Sequence, residues 1–314
     1  MKRILSLALS AILLLGLFSC GGKGSNGKLK AGFITQALSN ESQAFSWKEF
    51  QRLAPEYGFE MQIYAGENEP QVEVAGIEQC IAEKYDAIFI NPSSIESIIP
   101  ALINAKEAGL VVGMFSSELP EESQHLRDFF CGTDDFMGGE EAGRYVVANF
   151  PNGANFVEVG GQAGHDAQIK RRDGFRAGIA GSKIVELDSQ NCPGGWNTNE
   201  ALGIMEDFIV KYGSDIDVVF CHWDNGASGV IEALHNAGLS NVFVIGVDGN
   251  KTGYQQVRDG SQTLCIGQNF TRMAEQSLQN AKTKIEGGNP PAVNHTPLDI
   301  VTKETIDNFP PPEW

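Results

Sequence analysis

Short apolar runs alternate with longer amphipathic stretches along almost the whole chain, and that alternation admits few folds. Lys30–Thr35, Glu60–Tyr64, Ala87–Asn91 and Val111–Phe115 read as strands. Between them Gln43–Tyr57, Pro70–Lys84 and Ile95–Ala108 read as helices, with Pro100 absorbed near the first turn of the last. Gly58, Tyr85-Asp86 and Gly109 supply the helix stops. Strand, helix and strand at this spacing form βαβ units, hence a parallel sheet with helices on both faces. The pattern then restarts. Helices over 137–149, 168–177, 199–212, 227–237, 252–258 and 272–286 alternate with strands over 155–159, 183–187, 218–222, 242–247 and 262–266. Two successive sets predict an α/β protein of two doubly wound, Rossmann-like lobes. The stretch 298–301 reads as a short strand, and the Pro-rich tail around Pro310-Pro311-Pro312 as extended and fraying.

The first residues address the chain. Lys2 and Arg3 precede an apolar run over Ile4–Phe18, then Ser19 and Cys20. That is the layout of a secretory signal peptide. Leu17-Phe18-Ser19-Cys20 resembles a bacterial lipobox, which implies removal of residues 1–19 and acylation of Cys20. The expected location is extracytoplasmic, on the periplasmic side or the cell surface, with the lipid as sole membrane anchor. Residues 20–28 then read as a lipidated Gly-rich tether. Cleavage removes Lys2 and Arg3 and no acid, so 21 basic residues face 40 acidic ones and the net charge moves from −17 to −19. Such acidity argues against a nucleic-acid partner. The five cysteines beyond Cys20 show no CxxC and no zinc spacing, and read as buried thiols.

In open parallel sheets, ligands lie beyond the C-terminal ends of the strands. Polar and aromatic residues gather there: Asn40 and Gln43, Asn91, Ser116 and Ser117, then His165 and Asp166, Trp223, Asp248 and Gln268. Several local patterns, in order, resemble the ribose- and galactose-binding family of sugar-type (type I) periplasmic binding proteins. They are Leu38-Ser39-Asn40, Ile88-Phe89-Ile90-Asn91-Pro92, Gly132-Thr133-Asp134-Asp135, Gly161-Gln162-Ala163-Gly164, Val244-Ile245-Gly246-Val247-Asp248-Gly249 and Gln268. The resemblance spans about Lys30 to Gly287. It implies two lobes joined by three crossings, one of residues 29–132 with 268–297 and one of 133–267 with 298–314. A small molecule would bind between them.

Asp248 is expected to accept ligand hydroxyls, or else to cap the next helix. Gln268 would serve a ligand or a hinge hydrogen bond. The resemblance implies that Trp196 stacks on the apolar face of a sugar; it could equally staple the following helix. Trp223 stands where the family usually has a polar residue, and serves either the ligand or lobe packing. Asn91 could satisfy its own turn. The family's stacking aromatics after Asn40 are replaced by Ser42 and Gln43, its Asp-Arg pair by Ser116-Ser117 and a ligand arginine by Ile169, so ribose itself is not favoured. Arg171 reads as an ion-pair residue. No metal and no cofactor is expected.

No GxSxG, P-loop or HExxH motif points to an enzyme. A related repressor would carry a helix-turn-helix ahead of the body, where a signal and tether stand instead. The expected role is the binding component of an ABC importer: a monomer that takes a sugar or polyol and docks on a membrane permease. The same site would serve a sensor that presents its ligand to a chemoreceptor, or a binder of another polar ring compound.

Overall fold

The computed structural model describes residues 27–312 and 314. The signal segment, Cys20 and most of the tether lie outside the described residues.

Six parallel strands form the first sheet: β1 (Leu29–Thr35), β2 (Phe59–Ala65), β3 (Ala87–Asn91), β4 (Val111–Phe115), β5 (Phe129–Thr133) and β11 (Val293–Thr296). Their order is β11-β5-β4-β3-β1-β2. Strands β3, β4 and β5 are buried along their whole length, which is why they read as unbroken apolar runs. Helices α1 (Glu41–Tyr57), α2 (Pro70–Ala82), α3 (Ile95–Glu107) and α9 (Phe270–Ile285) belong to this half. Phe33, Phe50, Phe89 and Phe115 pack with α1 and α9 on one face, and Ile34, Ile88 and Ile90 with α2 and α3 on the other.

The second sheet repeats the plan. It holds β6 (Ala154–Gln162), β7 (Ile184–Cys192), β8 (Val218–Cys221), β9 (Phe243–Asp248), β10 (Leu264–Gly267) and β12 (Asp299–Val301), in the order β12-β10-β9-β8-β6-β7. Only β12 runs antiparallel to its neighbour. Helices α4 (Asp135–Asn149), α5 (Asp166–Gly178), α6 (Thr198–Tyr212), α7 (Asp224–Asn236) and α8 (Lys251–Asp259) cover it. The chain passes between the sheets after Thr133, after Gln268 and after Thr296. In each sheet the first strand lies between the second and third, so the order reverses at β1/β3 and at β6/β8. Those switch points are where open α/β sheets leave a crevice.

Three readings are corrected. Pro100 is the sixth residue of α3, in its second turn, where it forfeits the bond its N–H would have made to Glu96. Strands β5 and β11 were not foreseen. β5 follows β4 through a short 3-10 segment over Glu121–Leu126 and not through a full helix, and β11 is a polar edge strand. The tail does not fray. Trp314 stacks on Phe45 with ring centroids 5.6 Å apart and meets Phe270 edge-on at 5.3 Å. Its carbonyl accepts a bond from Lys251 N at 2.5 Å. All five cysteines of the described residues are free and buried.

Candidate functional site

A chamber lies between the C-terminal ends of the two sheets. From the first half it is lined by Gln36, Asn40, Ser42, Gln43, Asn91, Ser116 and Phe270. The second half contributes His165, Ala167, Arg171, Trp196, Trp223 and Asp248, and Gln268 stands at a crossing.

Local rules explain how each side chain is held. Asn40 caps α1: its Oδ1 accepts from Ser42 N at 3.1 Å and Ser42 Oγ at 2.8 Å. The cap leaves the Asn40 amide donors for other use. Gln43 Oε1 accepts from Thr35 Oγ1 at 2.8 Å, and its Nε2 donates to Ser42 Oγ at 3.1 Å. Ser116, directly after β4, and Asp248, the last residue of β9, have positive φ, +60° and +130°. Non-glycine residues pay for such backbone, and it gathers at ligand clamps. Asn250, not Asp248, caps α8, so Asp248 is spared that duty. Its Oδ1 accepts from Gln268 Nε2 at 3.0 Å, while Gln268 Oε1 accepts from Thr133 Oγ1 at 2.8 Å. Gln268 thus makes the hinge bond and also faces the chamber.

Two glycines make room for the indoles. A Cβ on Gly161 would stand 2.2 Å from the Trp196 ring, and one on Gly226 would stand 2.5 Å from that of Trp223. The indoles meet at right angles, 5.6 Å apart. Arg171 lies 5.7 Å from the Trp196 ring. It is held by Asp135 Oδ1, which accepts from its Nε at 2.8 Å, and by the His222 carbonyl at 2.5 Å from Nη1.

The buried charges are unevenly served. Asp224 is wholly buried beneath the site and accepts from Gly249 N, Asn250 N, Gln262 Nε2 and Cys265 Sγ. Burial still lifts it to about 6. Burial likewise raises Asp248 well above the carboxylate range, with Arg171 opposing and Asp224 and Asp135 adding to the rise. His165 is pushed down to about 3 by burial, and by Arg171 and Lys170. Its Nδ1 accepts from Ala167 N at 3.2 Å, so Nε2 carries the ring proton. The Gln36 amide nitrogen stands 3.5 Å from that Nε2. The two pair only with the amide turned to present its oxygen.

Of the residues expected from sequence, Asn40, Gln43, Asn91, Ser116, His165, Trp196, Trp223, Asp248 and Gln268 come together around this chamber. Ser117 and Asp166 do not line it, which corrects their assignment. Ser117 is buried beside β4. Asp166 Oδ2 accepts from Glu118 N at 3.0 Å, a contact between the halves, and from Lys170 Nζ at 2.8 Å. Gln36, Ser42, Ala167, Arg171 and Phe270 line the chamber without having been proposed for it. Gln36 directly follows β1, and the strand-end rule could have found it. Among the described residues no cluster of His, Cys, Asp and Glu could hold a metal ion, and no helix is long and apolar enough to cross a membrane.

One end of the Gln36 amide, Asn91 Oδ1, Trp196 Nε1 and Trp223 Nε1 have no hydrogen-bond partner within the chain. Buried polar groups are nearly always paired, so four unpaired groups facing one chamber leave hydrogen bonds for a ligand to make. Amide and indole groups beside a carboxyl group and flat indole faces match a ligand rich in hydroxyls, since each hydroxyl donates and accepts.

Residues 31–289 match the family model of the periplasmic binding protein domain. The ribose import binding protein RbsB of Escherichia coli is 27% identical over 256 residues, covering 81% of this chain and 84% of that protein. The fructose import binding protein FruE of Bifidobacterium longum is 25% identical over 298 residues, covering 91% and 90%. A solved galactofuranose binding protein superposes with a TM-score of 0.83 at 24% identity, covering 89% of this chain and 96% of its own, a likeness that shows the fold.

Proposed function

This chain belongs to the periplasmic binding protein family, and from that membership we propose that it captures a neutral sugar or polyol between its two halves for an ABC importer. Relatives named as ribose and fructose import binding proteins support the substrate class and the transport role. The observation that carries the reading is the set of four unpartnered groups in the chamber walls, two on the first half and two on the second. A ligand that satisfies both sets must touch both halves at once. It thereby favours their approach, since a ligand shifts an equilibrium only through contacts made better in one state. We further propose that Cys20 is acylated after loss of residues 1–19, that the protein acts outside the cytoplasm on this anchor, and that it docks as a monomer on its permease.

A thermal-shift screen of the mature chain tests the substrate class. A ligand that binds only the native state raises Tm by mass action, worth about 2.7 kcal/mol at a hundred times Kd. The expected result is a clear rise with at least one neutral sugar or polyol. A rise with a nucleoside or an amino acid, and with no sugar, would overturn the class.

A further inference from the structure

We propose that the recess outside the chamber is a second sugar subsite, and that the ligand is a disaccharide or other glycoside with one ring on each side of the Trp196–Trp223 corner. This rests on the sugar-binding reading above. The recess adjoins the chamber on its outer side. Gln36, Asn40, Ser42, Trp196, Trp223 and Asp248 stand in the walls of both spaces. A ring seated in the chamber therefore faces the recess directly.

The remaining wall has carbohydrate-binding chemistry. Asn68, Asn197, Asn199 and Asn225 line it, together with Trp314. An amide side chain donates and accepts, as a sugar hydroxyl requires of its partner. The fold uses only part of that capacity. Asn197 Oδ1 caps α6, accepting from Asn199 N at 2.9 Å and Glu200 N at 3.1 Å. Asn225 Oδ1 accepts from Asn250 Nδ2 at 3.1 Å. In both residues the NH2 group stays available.

Trp314 supplies a fixed platform. Phe45 stacks on one face, the ring edge of Phe270 contacts it, and the Lys251 N–H holds its backbone. A held indole loses little freedom when a sugar ring packs on it. Gln36 and Trp223 are 2% and 5% exposed, and each presents an unpartnered polar atom at the seam between the two spaces. The ionisable side chains on the recess wall, Glu41 and Asp248, are both acidic. Like-charge repulsion from Glu41 then disfavours a phosphorylated or acidic outer ring.

The test is calorimetric titration of the mature chain with glucose, galactose, fructose and ribose, and with maltose, cellobiose, lactose and sucrose. At least one disaccharide is expected to bind about tenfold tighter, or more, than either of its component monosaccharides. In Trp314→Ala the loss on that disaccharide should exceed the loss on the monosaccharide by about tenfold. Asn199→Ala, which removes an exposed side chain and leaves the fold intact, should show the same bias at smaller size. A monosaccharide that binds as tightly as every disaccharide, or variants that weaken both kinds of sugar equally, would overturn the second subsite and leave the sugar-binding reading standing. No binding by any of the eight sugars would overturn both.

Discussion

Asp248 and His165 show how much one buried group can decide. Asp248 is a carboxylate with one short partner, Gln268, inside a chamber offering hydroxyl-sized space. Replacing it by Asn keeps an oxygen for Gln268 and tolerates the positive φ, yet turns the other carboxyl oxygen into an NH2 donor. Leaving a buried hydrogen-bonding group without its partner costs about 1–3 kcal/mol. Asp248→Asn should therefore weaken ligand binding about ten- to hundredfold with little change in Tm, as read by calorimetry beside thermal melts. His165 acts on stability instead. Its folded value of about 3 lies below the ordinary 6.5, so between those limits the unfolded chain binds a proton that the native chain refuses. Stability from this group is complete above about pH 6.5 and is lost as pH falls toward 3. His165→Asn keeps a capping oxygen for Ala167 N. Its Tm should fall less steeply from pH 7 to 5 than that of the wild type, and identical slopes would refute the assignment. These roles were only half legible beforehand. Position after a strand pointed to most of the chamber residues, because the switch-point crevice is a property of the topology, while the family resemblance pointed to Trp196. Asp166 looked equally suitable. Its Oδ2 is engaged by Glu118 and Lys170 instead, and a contact between distant segments leaves no local mark on the sequence.

At the scale of elements, α4 and α5 set the position of Arg171. They approach so closely that a Cβ on Gly139 would meet the Arg171 carbonyl at 2.1 Å, and one on Gly174 would meet the Phe136 carbonyl at 2.0 Å. The obstacles are backbone atoms, which cannot rotate aside. Overpacking a tight contact costs about 1–3 kcal/mol. Gly174→Ala should therefore lower the unfolding free energy measured in urea by that amount and loosen the Arg171–Asp135 pair behind Trp196; an unchanged midpoint would show that the helices separate freely. The helices themselves were visible in the sequence because their amphipathic period is long and capped. β5 escaped because no full helix separates it from β4, and β11 because its four residues alternate nothing apolar on an edge. The docked Trp314 escaped for another reason: three prolines in a row predict extension but not where the extended chain lands.

Across the whole molecule, the two halves are in contact around the chamber. Gln162 Nε2 donates to the Ser93 carbonyl at 3.2 Å, Glu118 N donates to Asp166, and Gln36 faces His165. All three second-half residues lie between Gln162 and Asp166, and their partners follow β1, β3 and β4. One loop thus touches three strand ends when the halves are together, a geometry suited to hinge closure over a ligand. If a neutral sugar is shared between the halves, damage to either wall must weaken it. The decisive measurement is calorimetric titration of such a sugar into the wild type, into Asn91→Ala from the first half and into Trp196→Ala from the second. Binding one to one in the wild type, weakened about tenfold or more by each variant with Tm preserved, is the predicted result. No heat from any sugar or polyol, or loss in one variant with none in the other, would contradict capture between the two halves.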